Sequence, residues 1–208
     1  PINELPIFPK VNDWSIRNGL HDNFATTYLG PLGMKHNPEF LLRIAKYYKK
    51  DKDIRLVVIS EGLGAEYLKT KKIKFNLSNL IIMNFQPFEL LPKILSTADI
   101  FIAILEPEAG VYSVPSKILT YMCFKRPVVA AVPAENLSAR IVQQSNGGKI
   151  VNPKNSDELV AVVDQLVRDA PLLEKLSNNA FNYAKNKFNI NEITNSFEEI
   201  IKRVLEEK

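Results

Sequence analysis

Cysteine and histidine are scarce in this chain, whose 208 residues include one cysteine and two histidines. The single cysteine, Cys123, cannot form a disulfide within the chain, so the sequence indicates a reducing compartment and a structural thiol in an apolar stretch. So few histidines and cysteines do not support a metal-ligand constellation, and we expect no metal site. Apolar runs stay below the ~18 residues of a membrane-spanning helix, and no signal peptide is recognisable at the start. These absences favour an ordinary soluble protein of the cytoplasm.

The hydrophobic content is high enough for a sizeable core. Hydrophobic residues make up 46% of the chain, and a chain of about 200 residues allows one large domain, alone or with a helical extension. The sequence begins with Pro1 rather than Met, which suggests a fragment whose upstream part is missing.

Lysine is unevenly distributed, although the formal net charge is only +4. It is concentrated in two clusters, formed by Lys46, Lys49, Lys50 and Lys52 and by Lys69, Lys71, Lys72 and Lys74. Such clusters attract anionic lipid or a nucleic-acid backbone. Solvated helix ends are the favoured alternative, because no aromatic platform or nucleic-acid motif accompanies the lysines. We expect no nucleic-acid partner, while peripheral association with the inner face of the plasma membrane stays open.

Short apolar strands alternate with helical patterns along most of the chain. Strands are predicted at 24–30, 54–60, 80–85, 99–105, 127–132 and 149–151. Helices are predicted from 38 to 48 with Asn37 as cap, and at 65–69, 89–97, 116–124, 134–144, 157–168, 171–187 and 190–207. Strands that are apolar throughout are covered on both faces, which is typical of parallel sheets. The predicted fold is therefore α/β, a doubly wound, mostly parallel, Rossmann-like sheet over residues 24–155, followed by C-terminal helices over 156–208.

Ligands of doubly wound sheets bind outside the carboxyl ends of the strands, which directs attention to the loops that follow them. The segment Val114-Pro115-Ser116-Lys117 follows such a strand and opens an amphipathic helix. Free N–H groups at a helix start attract anions, and Ser116 and Lys117 add a hydroxyl donor and a positive charge. An ordinary solvated helix cap is the alternative.

Three other strand-following loops hold weaker candidates. In the loop from Gly30 to Asn37, glycine allows close approach of a phosphate and Lys35 supplies charge, although a tight turn with a surface lysine is as simple. Glu61 lies in a Gly-rich turn near the expected ligand edge. Gln86-Pro87 ends the next strand, where unpaired backbone groups are able to read a nucleobase edge.

The order of these motifs resembles the nucleotide-binding half of GT-B glycosyltransferases. The motifs are Gly30 to Pro38, Gln86-Pro87, Ala98-Asp99, Ser113 to Lys117 and Arg126 to Ala130. The chain is most similar to the retaining family 4 (group 1) enzymes, in the branch of colanic acid and O-antigen biosynthesis. Within that resemblance, residues 1–23 lead in from a missing N-terminal domain, on which the C-terminal helices also pack.

The resemblance implies transfer of a sugar from a UDP- or GDP-sugar donor to a glycan or polyprenyl-linked acceptor, without a metal or cofactor. Gly33 and Lys35 are implied to contact the donor diphosphate from one side, and Ser116 and Lys117 from the other. Weaker candidates for contacts to the base, ribose or sugar are Glu61, Gln86, Pro87, Ser113, Val114 and Thr120. Catalytic groups are implied to lie on the missing domain, so the fragment alone is expected to be inactive.

The sequence departs from the family pattern at three positions. Many members carry two glutamates at the spacing of Ser113 and Thr120, and this chain has neither. An arginine that often follows the first glycine is replaced by Pro31. Lys35 and Lys117 must then neutralise the diphosphate between them.

Two other classes of function remain open at this point. A nucleotide-sugar epimerase of the same two-domain plan needs acid and base groups in the cleft, and the shortage of histidine argues against it. A non-enzymatic α/β module that binds a nucleotide or a protein is favoured if Lys35 and Lys117 share no ligand.

Overall fold

Six parallel strands form one sheet in the order β3-β2-β1-β4-β5-β6. The computed structural model describes residues 5–106 and 116–206, except for the side chain of Lys35. The strands are β1 (Phe24–Leu29), β2 (Ile54–Ile59), β3 (Leu80–Met83), β4 (Ile100–Ile104), β5 (Val128–Ala131) and β6 (Gly148–Val151). Their apolar residues are buried on both faces, so consecutive positions of β4 and β5 are all buried. The predicted doubly wound α/β fold is confirmed.

Helices cover both faces of the sheet. The helices are α1 (Asp13–Arg17), α2 (Glu39–Tyr47), α3 (Leu63–Phe75), α4 (Leu91–Thr97), α5 (Lys117–Cys123), α6 (Leu137–Ser145), α7 (Ser156–Arg168), α8 (Ala170–Lys187) and α9 (Ile190–Glu206). Side chains of α2, α3 and α7 pack with one face, and those of α1, α4, α5 and α6 with the other. Helix α8 contributes to both clusters, with Leu176 in the first and Ala180 and Ala184 in the second.

The strand order reverses between β1 and β4, which are neighbours at the centre of the sheet. The chain runs outward from β1 through β2 to β3 and then returns to β4 on the other side. The helices that follow β1 and β4, α2 and α5, lie on opposite faces of the sheet, and a crevice is expected outside the carboxyl ends of the two strands. This crevice positions the candidate site.

The segment before β1 contains a helix that the sequence did not predict. The side chain of Asn12 accepts hydrogen bonds from the backbone of Trp14 and Ser15, and the Ser15 hydroxyl receives the Asn12 N–H. This capping box encloses a helix of only five residues, too short for a periodic pattern to reveal. Asn12 also donates to the Lys93 carbonyl and Thr97 hydroxyl, which fixes the segment to α4.

Two predicted helix boundaries were wrong. Asn37 does not cap α2, because Pro38 is the residue that directly precedes this helix. Asn37 instead has a left-handed backbone conformation and ends a short 3-10 helix, Met34–His36. Helix α3 extends to Phe75 instead of ending at Lys69. Its lysine-rich second half lacks an apolar period, yet lysine is a good helix former and its charged end reaches solvent.

Helix α9 differs from the other long helices because none of its described residues is buried. Its apolar side chains recur at helical spacing and are exposed: Ile190, Ile193, Phe197, Ile200, Ile201, Val204 and Leu205. They form one apolar stripe that no part of the described chain covers. None of the helices in the described ranges is long and apolar enough to cross a membrane.

Candidate functional site

The loop after β1 is connected to the loop after β2. The Leu32 N–H donates to the Glu61 carbonyl at 3.2 Å, and the Leu32 carbonyl accepts the Gly64 N–H at 2.9 Å. Gly33 follows, and its N–H donates to Nδ1 of His36 at 3.1 Å. His36 thus caps the 3-10 helix that holds Lys35. Gly33 and the backbone of Lys35 lie on the loop after β1 as the sequence predicted, while the Lys35 side chain lies outside the described residues.

Lys117 is the most informative side chain of the site. Its Nζ donates a hydrogen bond to the Tyr28 hydroxyl at 3.1 Å and lies 4.3 Å from the centre of the Tyr28 ring. Burial lowers the pKa of Lys117 to about 8, because an ammonium loses hydration in a partly dry site. Among the described residues, Lys117 forms no ion pair with a carboxylate. A half-buried ammonium whose hydrogen-bond partner is a neutral hydroxyl is suited to an anionic ligand.

Tyr121 fixes the position of α5 against the end of β1. Its hydroxyl donates to the Leu29 carbonyl at 2.8 Å and accepts the Leu29 N–H at 3.2 Å, and its ring stacks on Phe101 at 3.9 Å. Burial raises its pKa, so the phenol stays neutral. Tyr121 and Lys117 are four residues apart and share one helix face. The helix that carries the cation is thereby tied to the strand end over which the cation lies.

The remaining predictions on α5 have different outcomes. Ser116 is exposed, directly precedes the helix and makes no capping hydrogen bond with its side chain. Thr120 is half-buried, one turn after Lys117. Ser113 and Val114 lie outside the described residues.

A largely apolar cavity of about 260 Å³ adjoins the end of β1. It is lined by Leu29, Phe85, Gln86, Pro87, Phe88, Leu91 and Ile94. Glu61 is exposed in the loop after β2, and its carboxylate accepts the N–H of the lining residue Phe85 at 3.2 Å. Leu29 connects the two parts of the site, because its side chain lines the cavity and its backbone binds Tyr121.

The arrangement is suited to a ligand with a flat, weakly polar part and an anionic part. The cavity offers apolar surface with Gln86 in its lining, and Lys117 offers a positive charge across the end of β1. Among the described residues, no group of three histidine, cysteine or acidic side chains is placed to hold a metal ion.

Sequence reasoning missed Tyr28 and Tyr121. Both hydroxyls are deeply buried and hydrogen-bonded. A tyrosine in an otherwise apolar strand or helix needs a partner for its hydroxyl. Tyr28 lies two residues before Gly30, and Tyr121 lies four residues after Lys117. This proximity in the sequence is the signal that could have indicated that both hydroxyls face the candidate loops.

Comparison with known proteins gives a consistent family. The model of the family described as "Glycosyl transferases group 1" matches residues 24–169. An alpha-D-kanosaminyltransferase of Streptomyces kanamyceticus is 23% identical over 175 residues, which cover 79% of this chain and 42% of that protein. The chain therefore spans less than half the length of this curated relative.

Solved structures show the same fold at low sequence identity. HepE of Anabaena, in complex with UDP-glucose, superimposes with a TM-score of 0.80 at 17% identity, covering 97% of this chain and 55% of HepE. The C-terminal domain of the group 1 glycosyl transferase LpcC of Francisella tularensis gives a TM-score of 0.71 at 21% identity, covering 88% of this chain and 96% of that domain.

Proposed function

We propose that this chain, which belongs to the group 1 glycosyl transferases, binds the nucleoside diphosphate sugar donor of a retaining glycosyl transfer reaction. The observation that carries the proposal is the half-buried Lys117 ammonium outside the end of β1, which has no carboxylate partner among the described residues and lies across that strand end from the cavity at Gln86 and Pro87. A donor such as a UDP- or GDP-sugar has both an anionic diphosphate and a flat base. The complex of HepE with UDP-glucose, on the same fold, supports this ligand class.

Each predicted residue has a proposed role. The diphosphate is bound by Lys117 and Ser116 from one side and by Gly33 and Lys35 from the other. The base enters the cavity beside Gln86 and Pro87. Contacts to ribose or sugar come from Glu61, Thr120, Ser113 and Val114.

The contribution of Lys117 to the reaction is electrostatic. When the bond between the anomeric carbon and the diphosphate oxygen breaks, the electron pair stays on that oxygen and negative charge develops there. An ammonium in a partly dry site stabilises this charge more than it does in water. The acceptor hydroxyl forms the new bond to the anomeric carbon and loses its proton to a base outside this chain. This step needs no metal, so excess EDTA is expected to leave donor binding unchanged.

The acceptor and the second half of the active site are proposed to belong to a longer protein. The exposed apolar stripe of α9 supports packing against a further domain, and the share of HepE that this chain covers leaves room for one. We place the enzyme in the family 4 branch of surface polysaccharide biosynthesis, with a glycan or polyprenyl-linked acceptor, in the cytoplasm. The lysine clusters are compatible with peripheral binding to an anionic membrane surface.

Calorimetric titration of the chain with UDP, GDP, UMP and uridine tests the proposal. Diphosphates are expected to bind more tightly than the monophosphate, and the monophosphate more tightly than the nucleoside, because each added charge interacts with Lys117. Equal binding of UDP and uridine would show that no diphosphate site exists.

The reaction type needs the full-length protein, a nucleotide sugar and an acceptor. Transfer gives a glycosylated acceptor and free nucleoside diphosphate. Release of an epimerised sugar without transfer would assign the protein to the epimerase class instead.

A further inference from the structure

Tyr28 links the two loops that the proposed function assigns to the diphosphate. Its hydroxyl donates to the Pro31 carbonyl at 2.8 Å and accepts from Lys117 Nζ at 3.1 Å. A neutral phenol has one O–H donor, and here it donates to the Pro31 carbonyl. A lone pair of the hydroxyl oxygen is therefore left to accept from the ammonium. Burial raises the pKa of Tyr28, which keeps the hydroxyl protonated at neutral and mildly basic pH.

Gly30 makes this contact possible. Lys117 belongs to α5 on one face of the sheet, whereas the Tyr28 side chain packs with the cluster on the other face. The lysine must therefore cross the end of β1, and it does so at Gly30. A Cβ atom at Gly30 would lie 2.9 Å from Lys117 Nζ, and the φ of +128° there is one that other residues rarely adopt.

The chemistry of Tyr28 suits an anion-binding lysine. A carboxylate in its place would hold the ammonium but would also repel a diphosphate. The tyrosine ring attracts the cation through its electron-rich face and carries no net charge. The ammonium has three N–H donors and gives one to Tyr28, so two remain for phosphate oxygens.

We infer that Tyr28 is a positioning residue: its ring and hydroxyl hold the Lys117 ammonium over Gly30, in place for the donor diphosphate. The inference rests on the proposed function. A lysine side chain that is already fixed loses less conformational entropy when the ligand binds. In this inference Tyr28 acts through Lys117 and not on the donor itself.

Calorimetry with UDP on Tyr28→Phe, Lys117→Ala and the double variant tests this inference. Tyr28→Phe is expected to weaken UDP binding by about 2- to 10-fold, the range for the net effect of one typical intramolecular hydrogen bond, and to leave uridine binding unchanged. In the Lys117→Ala background the same change is expected to have almost no effect on UDP, because Tyr28 acts through Lys117.

A second readout follows Lys117 without any ligand. Tyr28→Phe removes a hydrogen-bond acceptor for the charged form of Lys117, so the Lys117 pKa is expected to fall below its value in the wild type. NMR measures this pKa, and the Lys117 resonance is identified as the one that Lys117→Arg lacks. Tyr48→Phe is the matched control. It removes another buried hydroxyl, which donates to Asp164 at 3.0 Å, and is expected to change neither the Lys117 pKa nor UDP affinity.

The outcomes separate the inference from the proposed function. If wild-type protein does not bind UDP more tightly than uridine, the proposed function fails and takes the inference with it. If UDP binds through Lys117 but Tyr28→Phe leaves affinity unchanged, raises it, or acts equally in the Lys117→Ala background, the function stands and the inference is wrong.

Discussion

Two lysines of this chain make nearly the same aromatic contact in two different regions. Lys117 Nζ lies 4.3 Å from the Tyr28 ring centre at the carboxyl edge of the sheet, and Lys46 Nζ lies 4.2 Å from the Phe75 ring centre. Phe75 ends α3 and Lys46 is in the last turn of α2, so their contact is near the opposite edge, where β2 and β3 begin. Lys71 and Lys74 also approach the Phe75 ring, at 6.0 and 5.7 Å.

The difference lies in what surrounds each ammonium. Lys46 Nζ is 3.7 Å from the Glu39 carboxylate, so its charge already has a counterion. Burial lowers the pKa of Lys117, and a neutral hydroxyl is its hydrogen-bond partner. A lysine at a ring is thus a structural contact in one region and a candidate ligand in the other. Lysine density in the sequence does not by itself identify the candidate site.

The largest effect is expected from Lys117→Ala, which should weaken UDP binding by about 1.5–3 kcal/mol, the range for hydrogen bonds to charged groups. Removal of the ammonium takes away the charge that faces the diphosphate, so uridine binding should stay the same. Calorimetry with both ligands measures the difference.

Lys46→Ala is the matched control for that experiment. It removes a lysine whose ammonium makes nearly the same contact with an aromatic ring, but at the opposite edge of the sheet. UDP affinity should therefore be unaffected. A loss as large as that of Lys117→Ala would end the distinction between the two regions.

The pH dependence of binding is expected to be the next largest effect. The free Lys117 has a pKa of about 8, so the ammonium is mostly charged at pH 7 and mostly neutral at pH 9. UDP affinity should therefore fall as pH rises through about 8, by up to about tenfold per pH unit. Isothermal titrations from pH 7 to pH 9 provide the measurement.

Lys117→Arg separates this effect from other titrations. Arginine keeps its proton throughout that range, so the variant should show a flat profile even if its affinity is lower. A wild-type profile that is also flat would mean that Lys117 does not bind the ligand as a cation.

The smallest effect is expected from Phe75→Leu. It removes a ring approached by three ammonium groups, and exposed contacts of this kind contribute about 0.5–1 kcal/mol. The free energy of unfolding in urea should fall by about 1 kcal/mol, with UDP affinity unchanged. Altered UDP affinity in this variant would indicate that the lysine region around Phe75 influences the candidate site.

The fold was predictable because its signals are local and repeated. Apolar strands such as β4 and β5 are continuous in sequence, and each is separated from the next by a helical pattern. Helix α1 was not predicted because five residues are too few to show an apolar period. The full length of α3 was not predicted because its exposed lysines show no apolar period. Propensity decides such helices more than patterning does.

The candidate site was predictable only in outline. Lys117, Gln86 and Pro87 follow strands, and the rule for doubly wound sheets brings them to one edge. The partnership of Lys117 with Tyr28 joins residues 89 positions apart and depends on a lysine crossing the strand end at Gly30. No local pattern encodes that crossing, because it arises from the reversal of strand order between β1 and β4.

The most direct test of this account is the pKa of Lys117 measured by NMR with and without UDP. If the ammonium binds the diphosphate, the nearby negative charge stabilises the protonated form, and the pKa should rise by ~1 unit or more above its value in the free protein. A Lys117 pKa that stays near 8 in the presence of saturating UDP would contradict the account.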